Sequence, residues 1–218
     1  MKQIKAIIFD FDGVFVDSWE FHAWALLDGC KKLGIKTSRE EIDKVFFGKT
    51  LKEATVDFLV NKGIDVTPEK FIETKLSYDS IYIDRVPAFE KVVNFVRENT
   101  EKYKMCIASA TRDILINAFL KREGLEDPFE FVIDADDVVN GKPDPEVYLK
   151  ALERLNLDRD EVVVIEDSVK GVQAAKAANL FVVALTQTTA QSELQEVRAD
   201  IVLDDSSQLA KIIEQIAI

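Results

Sequence analysis

Two carboxylates one residue apart, Asp10 and Asp12, are the residues of this sequence best placed to do chemistry. They follow the apolar run Ala6-Ile7-Ile8-Phe9 and precede Gly13, a pattern typical of a buried strand that ends in acids and then turns. Carboxylates near a core are costly unless a cation, hydrogen bonds or a reaction compensates them. In an open parallel sheet, ligands bind at the carboxyl ends of the strands. The pair therefore predicts a functional site.

Polar residues also follow two later apolar runs. The run 103–108 leads into Ser109-Ala110-Thr111, and the run 161–165 leads into Glu166-Asp167. Between them, Lys142 is the only cation of the loop 140–145. Because the ends of parallel strands face one edge of a sheet, we expect a single cluster there. Its members would be Asp10, Asp12, Ser109, Lys142, Glu166 and Asp167.

The residue types in this set fit one chemistry. Clustered carboxylates favour a hard divalent cation with oxygen ligands, Mg²⁺ above all. A hydroxyl, a lysine and helix N-termini favour a phosphate group, so the candidate phosphate-binding residues are Ser109, Ala110 and Lys142. A metal, a phosphate and a free carboxylate together indicate phosphoryl transfer.

The elements that must position these residues differ between two parts of the chain. Residues 4–9 are predicted to form a strand, whereas residues 18–84 contain only helical patterns, at 18–34, 38–47, 50–62 and 68–83. After Pro87, helices alternate with short apolar strands. The predicted helices are 88–99, 111–122, 145–155, 168–178 and 206–216, and the predicted strands are 103–108, 130–133, 161–165, 181–185 and 201–203.

Short apolar strands separated by helices predict crossover units and a parallel sheet that is covered on both faces. The predicted fold class is therefore α/β, with a Rossmann-like three-layer α/β/α core at residues 1–16 and 85–218. The helical block at residues 17–84 is an inserted domain that begins soon after Asp12, and an insertion at this point can act as a lid. We expect Phe46 and Phe47 to belong to the core of this block, with a role in shaping a less polar substrate pocket as the alternative for either.

Composition limits the partners. The 218 residues carry a formal net charge of −12, which repels nucleic acid and anionic membrane surfaces, so we expect neither as a partner. No apolar run has the length of a signal peptide or a membrane span. Cys30 and Cys106 are far apart, which is typical of reduced thiols in a cytoplasmic protein. We expect a monomer or a weak homodimer that binds a small phosphorylated metabolite.

The sequence resembles the haloacid dehalogenase-like (HAD) hydrolases, and within them the branch that holds β-phosphoglucomutase and phosphoglycolate phosphatase. The resemblance spans nearly the whole chain, and that branch carries a helical cap between its first and second motifs. Four motifs carry the resemblance, in order: Asp10-Phe11-Asp12-Gly13-Val14, Ser109, Gly141-Lys142-Pro143-Asp144-Pro145 and Glu166-Asp167-Ser168-Val169-Lys170-Gly171-Val172.

The resemblance implies a role for each motif residue. Asp10 would attack phosphorus and become a phosphoaspartate, and Asp12 would protonate the leaving oxygen and then activate water. Ser109 and Lys142 would hold the phosphoryl oxygens. The metal residues would be Asp10, Asp12 through its backbone carbonyl, Asp167, and Glu166 as a ligand or as a residue behind the ligands. Dehalogenases lack the second acid, so its presence favours a phosphate ester.

Residues in the helical block are the candidates for substrate specificity. His22 has two interpretations: a packed or surface histidine, or a histidine near the phosphate and the hinge, as in the mutase that the sequence resembles. Phe47 and Leu51 stand where that mutase carries a lysine and an arginine, which leaves Lys49 and Thr50 as the polar candidates. This departure weakens the mutase interpretation.

The resemblance thus implies an Mg²⁺-dependent phosphatase that hydrolyses a small phosphate monoester, such as a phosphosugar or a phosphoglycolate-like metabolite. Two alternatives remain open from the sequence. One is a phosphosugar mutase, which would need a second phosphate-binding group in the helical block. The other is a non-catalytic binding module that shares the fold.

Overall fold

The computed structural model describes residues 3–47, 49 and 51–216, and their contacts divide into two compact units. The core unit comprises Met1–Asp17 and Pro87–Ile218, and the helical unit comprises Ser18–Val86. The sequence prediction places the helical domain at residues 17–84. Its action as a lid stays a prediction.

A six-stranded parallel sheet forms the centre of the core unit. The strand order is β3-β2-β1-β4-β5-β6, so the direction of winding reverses between β1 and β4. This is the switch point at which open α/β sheets bind ligands. The predicted Rossmann-like α/β fold class is confirmed. The strands are β1 (Ala6–Phe9), β2 (Lys104–Ala108), β3 (Phe129–Ile133), β4 (Val162–Glu166), β5 (Phe181–Leu185) and β6 (Ile201–Leu203).

Burial explains why the central strands are so apolar. All four residues of β1 and all five of β4 are buried, as expected for strands covered on both faces. The register pairs Phe9 with Ile107 on one side and with Ile165 on the other. Therefore β1, β2 and β4 end almost level, and the residue that follows each of them reaches the same edge.

In its described residues, the helical unit contains four α-helices: α1 (Ser18–Lys32), α2 (Arg39–Phe46), α3 (Leu51–Lys62) and α4 (Pro68–Tyr82). Ser38 caps α2 by accepting from the Glu41 amide at 3.2 Å. Phe46 is buried against Phe58, with ring centroids 5.3 Å apart. The prediction that Phe47 belongs to the core of this unit is wrong. Its side chain is 59% exposed and makes a T-shaped contact with the Trp19 ring.

Helices α5 to α10 belong to the core unit, and they are α5 (Glu90–Asn99), α6 (Asp113–Glu123), α7 (Glu146–Leu155), α8 (Val169–Ala177), α9 (Gln191–Glu196) and α10 (Leu209–Ile216). Sequence analysis missed α9, because its six residues are too few to show a helical period. Among the residues that the structure describes, no helix is both long enough and apolar enough to cross a membrane.

Candidate active site

The carboxyl edge of the sheet gathers the sequence-predicted residues of the core unit. Asp10 directly follows β1 and is anchored there, because its amide donates to the Ile165 carbonyl at 2.9 Å. Ser109 follows β2 in the same way, with its amide 3.0 Å from the Ile133 carbonyl. Glu166 is the last residue of β4. Backbone pairing therefore fixes three of the candidate residues before any side chain takes part.

Lys142 connects two of these strand ends. Its ammonium donates to Asp10 Oδ1 and to Glu166 Oε1, both at 2.7 Å. It also lies 4.9 Å from the centre of the Tyr148 ring. Burial would lower the pKa of Lys142, but the charges of Asp10 and Glu166 raise it well above its usual value. The lysine is therefore a fixed positive charge in this cluster.

Glu166 is the most fully bonded acid of the edge. Oε1 accepts from Lys142 and from the Tyr148 hydroxyl at 2.8 Å. Oε2 accepts from the Asp167 amide at 2.9 Å and from the amide and hydroxyl of Ser168 at 2.9 and 3.0 Å. Burial would raise the pKa of Glu166, but Lys142 and these donors hold it below its usual value. Both oxygens are thus engaged by the protein itself.

The pKa values of Asp10 and Asp167 are raised, in contrast to that of Glu166. Burial and the charges of Glu166 and Asp12, only partly offset by Lys142, together raise the pKa of Asp10 to about 7. Burial and then the charges of Glu166 and Asp10 raise the pKa of Asp167 well above its usual value. The site thus holds more buried negative charge than its one lysine neutralises.

A divalent cation fits this imbalance. Carboxylate oxygens of Asp10, Glu166 and Asp167 lie within 4.8 Å of one another, close enough for one ion. They are the hard oxygen ligands that Mg²⁺ prefers. Because Glu166 already accepts five hydrogen bonds, Asp10 and Asp167 are the acids with capacity left for a metal.

Two glycines make room for these acids. Gly13 has φ +69°, and a Cβ there would lie 1.9 Å from Asp167 Oδ2. A Cβ on Gly171 would lie 1.5 Å from Glu166 Oε1. Both distances are far below van der Waals contact, so any larger residue would displace a carboxylate. These positions therefore require glycine.

Asp12 belongs to a separate hydroxyl-lined part of the edge. Its Oδ2 accepts from Ser109 Oγ at 3.2 Å and from Thr111 Oγ1 at 2.6 Å. Ala110 lies exposed between these two buried residues. Asp12 therefore has hydroxyl neighbours, whereas Asp10 has an ammonium neighbour.

The structure describes two of the three specificity candidates in the helical unit, His22 and Lys49. His22 Nδ1 lies 2.8 Å from the Lys75 ammonium, which also donates to Asp79 at 2.7 Å. Lys49 makes an exposed ion pair with Asp57 at 3.4 Å. Thr50 lies outside the described residues. His22 is thus part of an internal network of its own unit.

Sequence reasoning missed several residues of these networks. Tyr148 holds Glu166, Thr188 donates to Asp167, and Thr111 donates to Asp12. Of these three, only Thr111 carried a readable signal, because it is a second hydroxyl in the loop that follows β2. Lys75 and Asp79 could have been found as an opposite-charge pair four residues apart on a helix.

Comparison with known proteins identifies the family. The sequence model of the haloacid dehalogenase-like hydrolases matches residues 7–185. The chain belongs to this family. The resemblance noted from the sequence is therefore confirmed, and the protein is a hydrolase.

Two curated relatives and one solved structure illustrate the similarity. The "Phosphorylated carbohydrates phosphatase" of Thermotoga maritima is 31% identical, over 81% of this chain and 82% of that protein. "Protein SUPPRESSOR OF QUENCHING 1, chloroplastic" of Arabidopsis thaliana is 29% identical over 95% of this chain, which spans 20% of that longer protein. The crystal structure of CbbY from Rhodobacter sphaeroides in complex with phosphate has a TM-score of 0.82, 23% identity and coverage of 94% and 96% of the two chains. At that identity, the structure supports the fold alone.

Proposed function

We propose that this hydrolase removes the phosphoryl group from a small phosphate monoester, of the phosphosugar or phosphoglycolate class, through a phosphoaspartate on Asp10. The observation that carries the proposal is the buried strand-end cluster in which Asp10 lies 2.7 Å from Lys142 and beside two further acids. The resemblance to a phosphatase of phosphorylated carbohydrates supports the phosphate-ester class.

Asp10 is the nucleophile in this proposal. A carboxylate that attacks a phosphate dianion meets like-charge repulsion, which Lys142 reduces because its ammonium is fixed against Asp10. Mg²⁺, held by Asp10, Asp167 and the backbone carbonyl of Asp12, would neutralise the remaining negative charge. The bonding of Glu166 favours a role in positioning Lys142, and Asp167 through the Asp167 amide, over a direct metal bond.

Asp12 carries the proton between the two half-reactions. In the first, Asp12 donates a proton to the ester oxygen as the bond from Asp10 to phosphorus forms, and the alcohol leaves. In the second, Asp12 takes a proton from water, which attacks phosphorus, and the bond to Asp10 breaks to release phosphate. Ser109 and Lys142, together with the Ala110 amide, would hold the phosphoryl oxygens.

A phosphate-release screen tests the proposal directly. Wild-type protein with Mg²⁺ should release phosphate from at least one member of a panel of phosphosugars, phosphoglycolate and nucleotide monophosphates. Asp10→Asn should lose that release. Asp204→Asn should keep it, because Asp204 is an exposed acid that follows β6, the outermost strand of the sheet. Absence of release in wild type, with no effect of Asp10→Asn, would contradict the proposal.

The same screen separates the phosphosugar mutase alternative. A mutase would return an isomerised sugar phosphate and would need a bisphosphate activator, whereas a phosphatase releases inorganic phosphate without one. A helical unit that closes as a cap, a cytoplasmic location, and a monomer or weak homodimer that avoids nucleic acid and membranes stay predictions.

A further inference from the structure

Thr111 makes a hydrogen bond that its place in the fold does not require. It lies in the loop between β2 and α6, where threonine hydroxyls commonly cap the following helix. Here the residue before α6 is Arg112, which makes no side-chain cap bond, and the Asp113 amide is bonded instead by Asp134 Oδ2 at 2.7 Å. The structural task at this junction is therefore already performed by Asp134.

The Thr111 hydroxyl is bonded to Asp12 and not to helix α6. Its Oγ1 donates to Asp12 Oδ2 at 2.6 Å, across 99 residues of sequence, and Thr111 is 7% exposed. Its amide donates to Ser109 Oγ at 3.1 Å, and that hydroxyl in turn donates to the same Asp12 oxygen. Since a β-branched side chain has few χ1 rotamers, the direction of this hydroxyl is well defined.

The two hydroxyls make the oxygens of Asp12 unequal. Oδ2 accepts both hydrogen bonds, whereas Oδ1 is buried and has no hydrogen-bond partner among the described residues. An oxygen that accepts two O–H groups is a poor place for a proton, so a proton on Asp12 belongs on Oδ1. The carboxyl plane is also fixed, which is what proton transfer to a bound ester needs.

We propose that Thr111 is the positioning residue of Asp12: it fixes the carboxyl plane and leaves Oδ1 as the oxygen that gives and takes the proton. This inference rests on the proposed function and deepens it. In the first half-reaction, the Oδ1 proton passes to the ester oxygen while the phosphorus–oxygen bond to the alcohol breaks. In the second, Oδ1 accepts the proton of the attacking water.

The identity of the leaving group provides the test. An alkyl alcohol must be protonated as it leaves, whereas p-nitrophenolate leaves without a proton. The ratio kcat/KM covers only the steps up to transfer of the phosphoryl group to Asp10, so activation of water does not enter it. We expect Thr111→Val to lower kcat/KM about tenfold to a hundredfold for the best alkyl ester of the screen, and less than about threefold for p-nitrophenyl phosphate.

Three further variants serve as controls. Thr111→Ser keeps the hydroxyl and should restore the activity toward the alkyl ester. Thr55→Val removes a buried hydroxyl that has no partner among the described residues, and both activities should be unchanged. Thr111→Ala repeats the loss of the hydroxyl with a smaller side chain, in case Thr111→Val does not fold by its melting curve.

Equal losses toward the two esters, or no loss toward either, would overturn the role of Thr111 while leaving the phosphatase standing. Failure of Thr111→Ser to recover the alkyl ester would overturn it as well. Failure of the proposed function looks different, because wild-type protein would then hydrolyse neither ester.

Discussion

Each unit of this protein buries a lysine against a carboxylate, yet the pKa values of Asp10 in the core unit and Asp79 in the helical unit shift in opposite directions. In the core unit, Lys142 is bonded to Asp10 at 2.7 Å, and the pKa of Asp10 is nevertheless raised to about 7, chiefly by burial. In the helical unit, Lys75 is bonded to Asp79 at 2.7 Å. There burial would raise the pKa of Asp79, but His22 and Lys75 hold it below its usual value.

The difference lies in the charge balance. In the helical cluster, the Lys75 ammonium and the Asp79 carboxylate pair with each other, and both residues come from α4. The core cluster sets one lysine against three acids from the ends of β1 and β4, so two of these acids have no cation to balance their ionised forms. A balanced buried pair is consistent with a structural role, whereas an uncompensated buried charge indicates a functional site.

Replacement of Asp10 should have the largest effect, and it should act on activity and not on stability. Asp10→Asn should lower phosphate release by at least about a thousandfold, because the nucleophile is lost. The same change removes one of three repelling acids, so the melting temperature without metal should not fall. A calorimetric scan in EDTA checks this, and a marked loss of stability would show that Asp10 is structural.

Replacement of the acid in the helical cluster should instead lower the stability of the protein. Asp79→Asn leaves the Lys75 ammonium buried without its carboxylate, and the free energy of unfolding should fall by about 3–5 kcal/mol. The double variant Lys75→Met/Asp79→Val removes both charges and should recover most of that loss. Urea unfolding of the three proteins measures it. A double variant no more stable than the single one would mean that the pair is more than a balanced charge.

Magnesium should stabilise the core unit through the same excess charge. At a free concentration a hundred times Kd, a ligand that binds only the folded state adds about 2.7 kcal/mol to the free energy of unfolding. Wild type should therefore melt at a higher temperature with Mg²⁺, and Asp167→Asn should lose the increment. Asp204→Asn should keep it. An undiminished increment in Asp167→Asn would remove Asp167 from the metal site.

The contrast also shows what the sequence could and could not reveal. The apolar strands and the acids that follow them are local patterns, so the α/β class and the edge cluster were predictable. Asp10 and Glu166 meet because β1 and β4 pair in register, which the crossover pattern implies. Helix α9 was missed for lack of length, and Phe47 was misplaced because one apolar residue at a helix end does not reveal its side.

The partners of the acids were harder to foresee. Tyr148 reaches Glu166 from the first turn of α7, and Thr188 reaches Asp167 from the loop after β5. Neither contact follows from spacing, because side-chain direction at a loop or helix start depends on the packed structure. The glycines Gly13 and Gly171 were visible in the motifs, but the carboxylates that exclude a Cβ there were not.

The smallest predicted effect on stability concerns Glu146, an acid that local hydrogen bonds and an ion pair keep ionised. Its half-buried carboxylate accepts from the amides of Val139 and Asn140 and pairs with Lys150, and these contacts lower its pKa to about 2. It thereby anchors the loop that leads to Lys142.

Since the folded pKa lies below the ordinary value of 4.5, the contribution of Glu146 to stability is complete above about pH 4.5. It should decline as the pH falls toward 2. Wild type should therefore exceed Glu146→Gln in stability by a constant, small margin from pH 5 to 8, and the margin should vanish near pH 2. Unfolding curves across this range measure it, with Glu153→Gln as an exposed control on the same helix. A margin that grows on acidification would have the wrong sign for an acid with a lowered pKa, and would place the anchoring of this loop elsewhere.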